Sequence, residues 1–101
     1  MKIYSIEFSQ QAFSDLSAIY LYISQELYSP LLADKIYKKI EQKIESLSTL
    51  PLRHAALITV NNEQVRRLMV ENYSILYIIR DSSVIIFRII YTASNILQKL
   101  Q

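Results

Sequence analysis

The sequence predicts a single two-layer α+β domain over residues 1–101, an antiparallel sheet packed on an α-helical hairpin, in the order β-α-α-β-β-β with room for one extra short strand. Three observations predict it. The apolar period is two near the start, it changes to a 3–4 spacing across two long stretches, and β-branched and aromatic runs with tight breaks fill the second half. Apolar residues make up 51% of the chain, far more than a disordered polypeptide carries, so it buries a core.

Lys2–Phe8 alternates Ile3, Ser5 and Glu7 with Tyr4, Ile6 and Phe8, the pattern of a half-buried strand. From Ser9, an N-cap residue, Phe13, Leu16, Tyr20, Ile23 and Leu27 fall on one helical face, with Ala12 and Ile19 widening the stripe. Ser29-Pro30 opens a second helix, because proline at the first helical position gives up an N–H that has no partner there anyway. Its face is Ala33, Ile36, Ile40, Ile44 and Leu47, and it must end before Leu50-Pro51, since proline disfavours helical geometry in the residue before it. Pro51–Glu63 is the least regular stretch; Ala56–Val60 suits a short strand and Asn61-Asn62 a turn at positive φ. Gln64–Val70, Tyr73–Arg80 and Val84–Thr92 read as strands of an antiparallel meander, broken at Glu71-Asn72 and Asp81-Ser82-Ser83. Tyr73, Ile75, Tyr77 and Ile79 share one face. On the last strand Ile85, Phe87, Ile89 and Tyr91 share one face and Val84, Ile86, Arg88 and Ile90 the other, which predicts a central strand. Ser94–Gln101 suits one or two further helical turns.

Composition removes whole classes of chemistry. Without glycine there is no Walker loop, no G-x-G-x-x-G turn and no nucleophile elbow, and without cysteine and with only His54 there is no thiolate or multi-histidine zinc site. No cofactor and no metal are expected. No secretory pattern opens the chain and no apolar run of roughly 18 residues occurs, so a cytoplasmic protein without a membrane partner is expected. The formal charge is only +2, but it is unevenly spread: residues 1–52 carry five lysines against six acids, whereas all five arginines and Lys99 lie in residues 53–101 against three acids. An anionic partner should therefore meet the C-terminal half first.

The ordered set Ala12-x-x-Asp15-Leu16-x-x-Ile19-x-x-Tyr22-Ile23, Ala33, Leu50-Pro51, Arg66-x-Leu68-x-Val70-x-Asn72-Tyr73-x-Ile75-x-Tyr77 and Val84–Tyr91 resembles the RelE/ParE superfamily, the toxin halves of bacterial type II toxin–antitoxin systems. The Asp15–Ile23 helix leans towards the ParE branch. The resemblance implies a first strand lying beside the last and a cognate antitoxin wrapping the domain. It also implies one of two targets: translating ribosomes and their mRNA, cut by RelE-like members, or DNA gyrase, blocked by ParE-like members. The ribonuclease branch places an arginine after the aromatic residue that opens the middle strand, where this chain has Ser74. It places further basic residues after the last strand, where this chain has Thr92-Ala93-Ser94-Asn95. Fixed cations stabilise the charge developing at phosphorus, and each such donor is worth about 10²–10³ in rate. The expectation is thus a ParE-like binder rather than an enzyme. A ribonuclease with a rearranged site and a non-toxic co-repressor stand as alternatives.

For that rearranged site the candidates are Arg66, Arg88 and Tyr91. Arg66 and Arg67, expected at a strand start and pointing to opposite faces, are each either a partner contact or a structural charge. Arg88 inside an apolar strand needs an ion-pair partner or a cleft. Tyr91, with a phenol that ordinarily titrates near 10, is a poor base at neutral pH, and an aromatic packed on the helices is the plainer reading. Alternation puts it opposite Arg88 unless a bulge intervenes. Lys35, Lys39 and Lys43 form a row along the second helix, either solvated or a contact surface for an acidic antitoxin or nucleic acid. His54, in a loop, serves proton transfer only if the fold brings it to a cleft.

Overall fold

A computed structural model describes residues 2–94 and residue 100. Its elements are β1 (Ser5–Phe8), α1 (Gln10–Leu21), α2 (Pro30–Glu45), β2 (Ala56–Val60), β3 (Glu63–Val70), β4 (Tyr73–Arg80) and β5 (Ser83–Tyr91). The five strands form one sheet in the order β1-β5-β4-β3-β2. β1 pairs parallel to β5, and every other pairing is antiparallel. The extra strand anticipated at Ala56–Val60 is present, and the strand expected from Lys2 is shorter, beginning at Ser5. The centre of the sheet is β4 rather than the last strand; β5 is flanked by β4 throughout and by β1 only over Ser83–Ile86.

Local chemistry sets the boundaries. Ser9 caps α1, its Oγ accepting from the Ala12 N–H at 3.0 Å. The helix does not run on to Leu27 as its apolar spacing suggests: Tyr22–Glu26 is a widened π turn. Ser29 precedes Pro30 as expected but makes no side-chain cap. After α2 the chain tightens into the 3₁₀ turns Ser46–Ser48 and Pro51–Arg53. Hence Leu47 is buried from a turn rather than from the helix. The hairpins β2–β3, β3–β4 and β4–β5 close through residues 61–62, 71–72 and 81–82, so each loop is two residues long. Asn61, Asn62, Glu71 and Asp81 supply the positive φ that these loops need.

Helices cover one face of the sheet. Ala12, Leu16, Ile40, Ile44 and Leu47 pack there on Leu68, Val70, Ile75, Tyr77, Val84, Ile86 and Ile89. On the other face Val65, Leu76, Ile78 and Ile90 form a second cluster, with Ile58, Phe87 and Leu100 against it. The register slips between Leu76 and Tyr77 opposite Arg88 and Ile86, leaving Phe87 as the extra residue of a β-bulge. The bulge corrects the expected alternation: Val84, Ile86 and Ile89 face the helices, while Ile85, Phe87 and Ile90 face away. It also anchors α1, because the Ser9 hydroxyl donates to the Phe87 carbonyl (2.9 Å) and the Ser9 N–H to the Ile86 carbonyl (2.9 Å). Of the turns expected over Ser94–Gln101, residues 95–99 and 101 lie outside the described residues.

Candidate functional site

An open cleft of about 580 Å³ lies where the π turn meets one end of β4 and the end of β5, lined by Ala18, Ile19, Tyr22, Leu27, Asn72, Tyr73 and Tyr91. The β3–β4 loop places Tyr73 at the strand start, and β5 ends at Tyr91 opposite it. Their rings meet edge to face at 5.8 Å between centroids. On the opposite face of the sheet Ser74, wholly buried, shares a 2.9 Å hydrogen bond with the Thr92 hydroxyl, and the Thr92 N–H donates to the Asn72 carbonyl (2.7 Å). Burial, then the neighbouring Tyr91 and Tyr22, push the Tyr73 phenol above its ordinary value, so it stays protonated at neutral pH. Among the described residues the lining holds no cation or carboxylate. Chemically, this is a neutral aromatic receptacle suited to binding; nothing in its lining supplies a base and a fixed cation together.

The candidate cations go elsewhere. Arg88 pairs with Asp15 of α1, Nε to Oδ2 at 2.8 Å and Nη2 to Oδ1 at 3.2 Å, with side chains only 20% and 12% exposed. Beyond the last residue of β1, the edge of β5 lacks a strand partner. There Asp15 Oδ2 also accepts the Ile89 N–H (2.9 Å), so one carboxylate serves both the arginine and the sheet edge. Arg88 and Tyr91 stay on different sides, because the bulge precedes both of them.

Arg66 and Arg67 sit in the middle of β3, not at its start. Arg66, opposite Tyr77, clamps the preceding loop: Nη1 donates to the carbonyls of His54 (2.7 Å) and Leu52 (3.4 Å), and Nη2 to Gln64 Oε1 (3.1 Å). Arg67 is opposite Leu76, on the face away from the helices. In the lysine row, Lys39 is bound to Glu71 at 2.5 Å. That contact, with the nearby charge of Lys35, holds the Glu71 carboxyl below its usual range. Lys43 lies near His54, at the other end of the row. The structure therefore does not gather Arg66, Arg88 and Tyr91 into one site, and of the lysine row only Lys43 comes near arginines, those around His54.

A second centre, which the sequence did not single out, forms around the Pro51–Arg53 turn. Tyr77 is wholly buried and donates its hydroxyl to the Pro51 carbonyl at 2.5 Å. Burial lifts its phenol to about 12 against the opposing pull of Arg66 and Arg53. Arg53 Nε donates to His54 Nε2 (3.3 Å), and burial, Arg53 and Lys43 together keep the imidazole below its usual range and neutral. His54 faces Tyr77 edge-on at 6.4 Å, far from the tyrosine cleft. The pairing of Arg53-His54 with Leu50 and Leu52 was the available signal for this centre, but it falls in the least regular stretch.

The fold and these arrangements define a small toxin-like α+β domain. Residues 6–96 match the family described as the ParE toxin of the type II toxin–antitoxin system, parDE, and the chain belongs to that family. Among solved structures it is similar to a chain of the chromosomal ParDE system from P. aeruginosa: 25% identity, TM-score 0.74, spanning 88% of this chain and 96% of that one. Its fold is also that of a chain of the archaeal RelE–RelB complex from Pyrococcus horikoshii OT3 (13% identity, TM-score 0.64, 90% and 97% covered). A chain of the RelBE2 complex from Mycobacterium tuberculosis shares it as well (23% identity, TM-score 0.63, 93% and 97% covered). No curated protein sequence matches the chain. No described helix is long and apolar enough to cross a membrane, and no metal-holding cluster of acids or His54 occurs among the described residues.

Proposed function

We propose that this chain is the poisonous half of a toxin–antitoxin pair. In this reading it arrests an essential cytoplasmic target, DNA gyrase by the family's implication, through binding rather than RNA cleavage, and a cognate antitoxin neutralises it. The single observation that carries the choice of mechanism is the Ser74–Thr92 pair. Two positions at which the ribonuclease branch sets cations are here small, neutral and bonded to each other. RNA cleavage needs the 2′-hydroxyl deprotonated, the leaving oxygen protonated and charge at phosphorus stabilised. Arg66 spends its donors on backbone carbonyls and Gln64, and Arg88 on Asp15. Both are committed to holding the fold.

Induced expression should stop growth, purified protein should inhibit gyrase supercoiling, and toeprints on translating ribosomes should show no new 5′ ends at the toxic dose. Ribosome-dependent cleavage with gyrase untouched would instead assign the chain to the ribonuclease class. Normal growth on overexpression would leave an antitoxin-binding co-repressor.

A further inference from the structure

The end of the domain opposite the tyrosine cleft carries an exposed surface of unusual make-up. Leu50 adopts φ 50°, ψ 49°, left-handed backbone that costs a residue with a Cβ about 1–2 kcal/mol. The turn then buries Pro51 under Tyr77 but leaves Leu50 61% and Leu52 62% exposed. Between them and the chain leading into β1 is an open depression of about 410 Å³ lined by Lys2, Tyr4, Leu50, Pro51, Leu52 and Arg53. A strained turn that displays two leucines works against folding, and burial by a partner would offset both costs.

The rim is cationic. Lys2 lies over the Tyr4 ring (4.8 Å) and donates to the backbone carbonyl of Asp81. Arg53 donates to His54 and to the Ser46 carbonyl (3.5 Å). Neither makes an ion pair among the described residues, whose three pairs engage Glu71, Glu63 and Asp15 elsewhere. Lys43 and Arg66 stand behind the same turn and add to the positive field. An apolar floor between two unneutralised cations matches a ligand with the reverse arrangement. Nucleic acid fits less well, because the leucines offer no face on which bases stack and Lys2 already lies over the ring of Tyr4.

We propose that the Leu50–Arg53 turn, with Lys2, is a docking site for an acidic segment of a partner protein that inserts an aliphatic side chain between Leu50 and Leu52. The segment's carboxylates pair with Arg53 and Lys2 at the rim. This does not depend on whether the chain poisons gyrase, cleaves RNA or does neither. The test is a titration of isotopically labelled full-length protein with a short peptide alternating glutamate and leucine, followed by amide chemical shifts. Shifts confined to residues 2–4 and 50–54 are expected, with binding weakened about tenfold by Arg53→Glu or Leu52→Asp and by raising salt from about 50 to 500 mM. Both side chains are exposed, so thermal melting should confirm folded variants, and Met69→Asp, at another exposed apolar position, should bind normally. Equal binding of a control peptide with glutamine in place of every glutamate, tighter binding of an oligothymidylate at the same residues, shifts centred on other residues, or unaltered affinity in the two variants would each overturn the proposal.

Discussion

The start and the middle of β4 each carry a tyrosine and are made into opposite environments. At the start, Tyr73 and Tyr91 line a cleft with no charged side chain among the described lining residues. In the middle, the buried phenol of Tyr77 holds a proline turn, and Arg53, Arg66 and Lys43 crowd the neighbouring loop. The difference teaches where charge can act. RNA cleavage at the Tyr73 end would need cations there, yet the cations around Tyr77 lie four residues along the strand, spent on carbonyls or facing solvent. Tyr73 thus lines an open neutral cleft, whereas Tyr77 is a structural bolt.

The sharpest way to break that contrast is at the bolt. Tyr77→Ala should cost about 3–5 kcal/mol in chemical denaturation, because it removes a large, fully buried side chain and orphans the Pro51 carbonyl. A loss as small as that from Tyr91→Ala would mean the two regions are alike. Next, Asp15→Ala should cost about 3 kcal/mol by removing the carboxylate that pairs with Arg88 and accepts the Ile89 N–H, and Asp15→Leu with Arg88→Met should recover the part due to the ion pair. If the double change is no better than the single one, Arg88 has a role other than pairing. At the neutral end Ser74→Ala should cost about 1 kcal/mol and leave growth arrest intact. Loss of arrest in a folded variant would make that hydroxyl functional.

The smallest effect is a pH dependence. The fold keeps the His54 imidazole below its ordinary 6.5, so the unfolded chain takes up the proton first. The His54 contribution is therefore complete above about pH 6.5 and fades as pH falls below it. Melting temperature should decline over that window in the native chain and decline less in His54→Gln. An equal decline in both would place the responsible group elsewhere.

Legibility followed how local the physics is. β4 is read residue for residue, because β-branched runs and two-residue breaks are local signals. The bulge at Phe87 left no such trace: with isoleucines on both faces of β5, a one-residue shift of register alters no pattern of apolar and polar positions. The π turn was hidden for a related reason, since its residues continue the helical spacing that opens at Phe13. For the site, Arg66 and Arg88 were visible as costly charges. Their partners were not, because Asp15 lies 73 residues from Arg88 and the His54 carbonyl 12 from Arg66. Arg53 and Tyr77 acquire meaning only once the irregular 51–63 stretch folds onto β4.

A chain with no glycine must make its corners from residues that resist them. Tyr28, Leu50, Asn61, Asn62, Glu71 and Asp81 all hold positive φ, and the two asparagines and Asp81 do so at less cost than the others. Placing glycine at Glu71 relieves steric crowding worth more than the exposed Lys39 pair it gives up, so that variant should outlast the native chain on heating. The wild-type sequence forgoes that reserve at its corners.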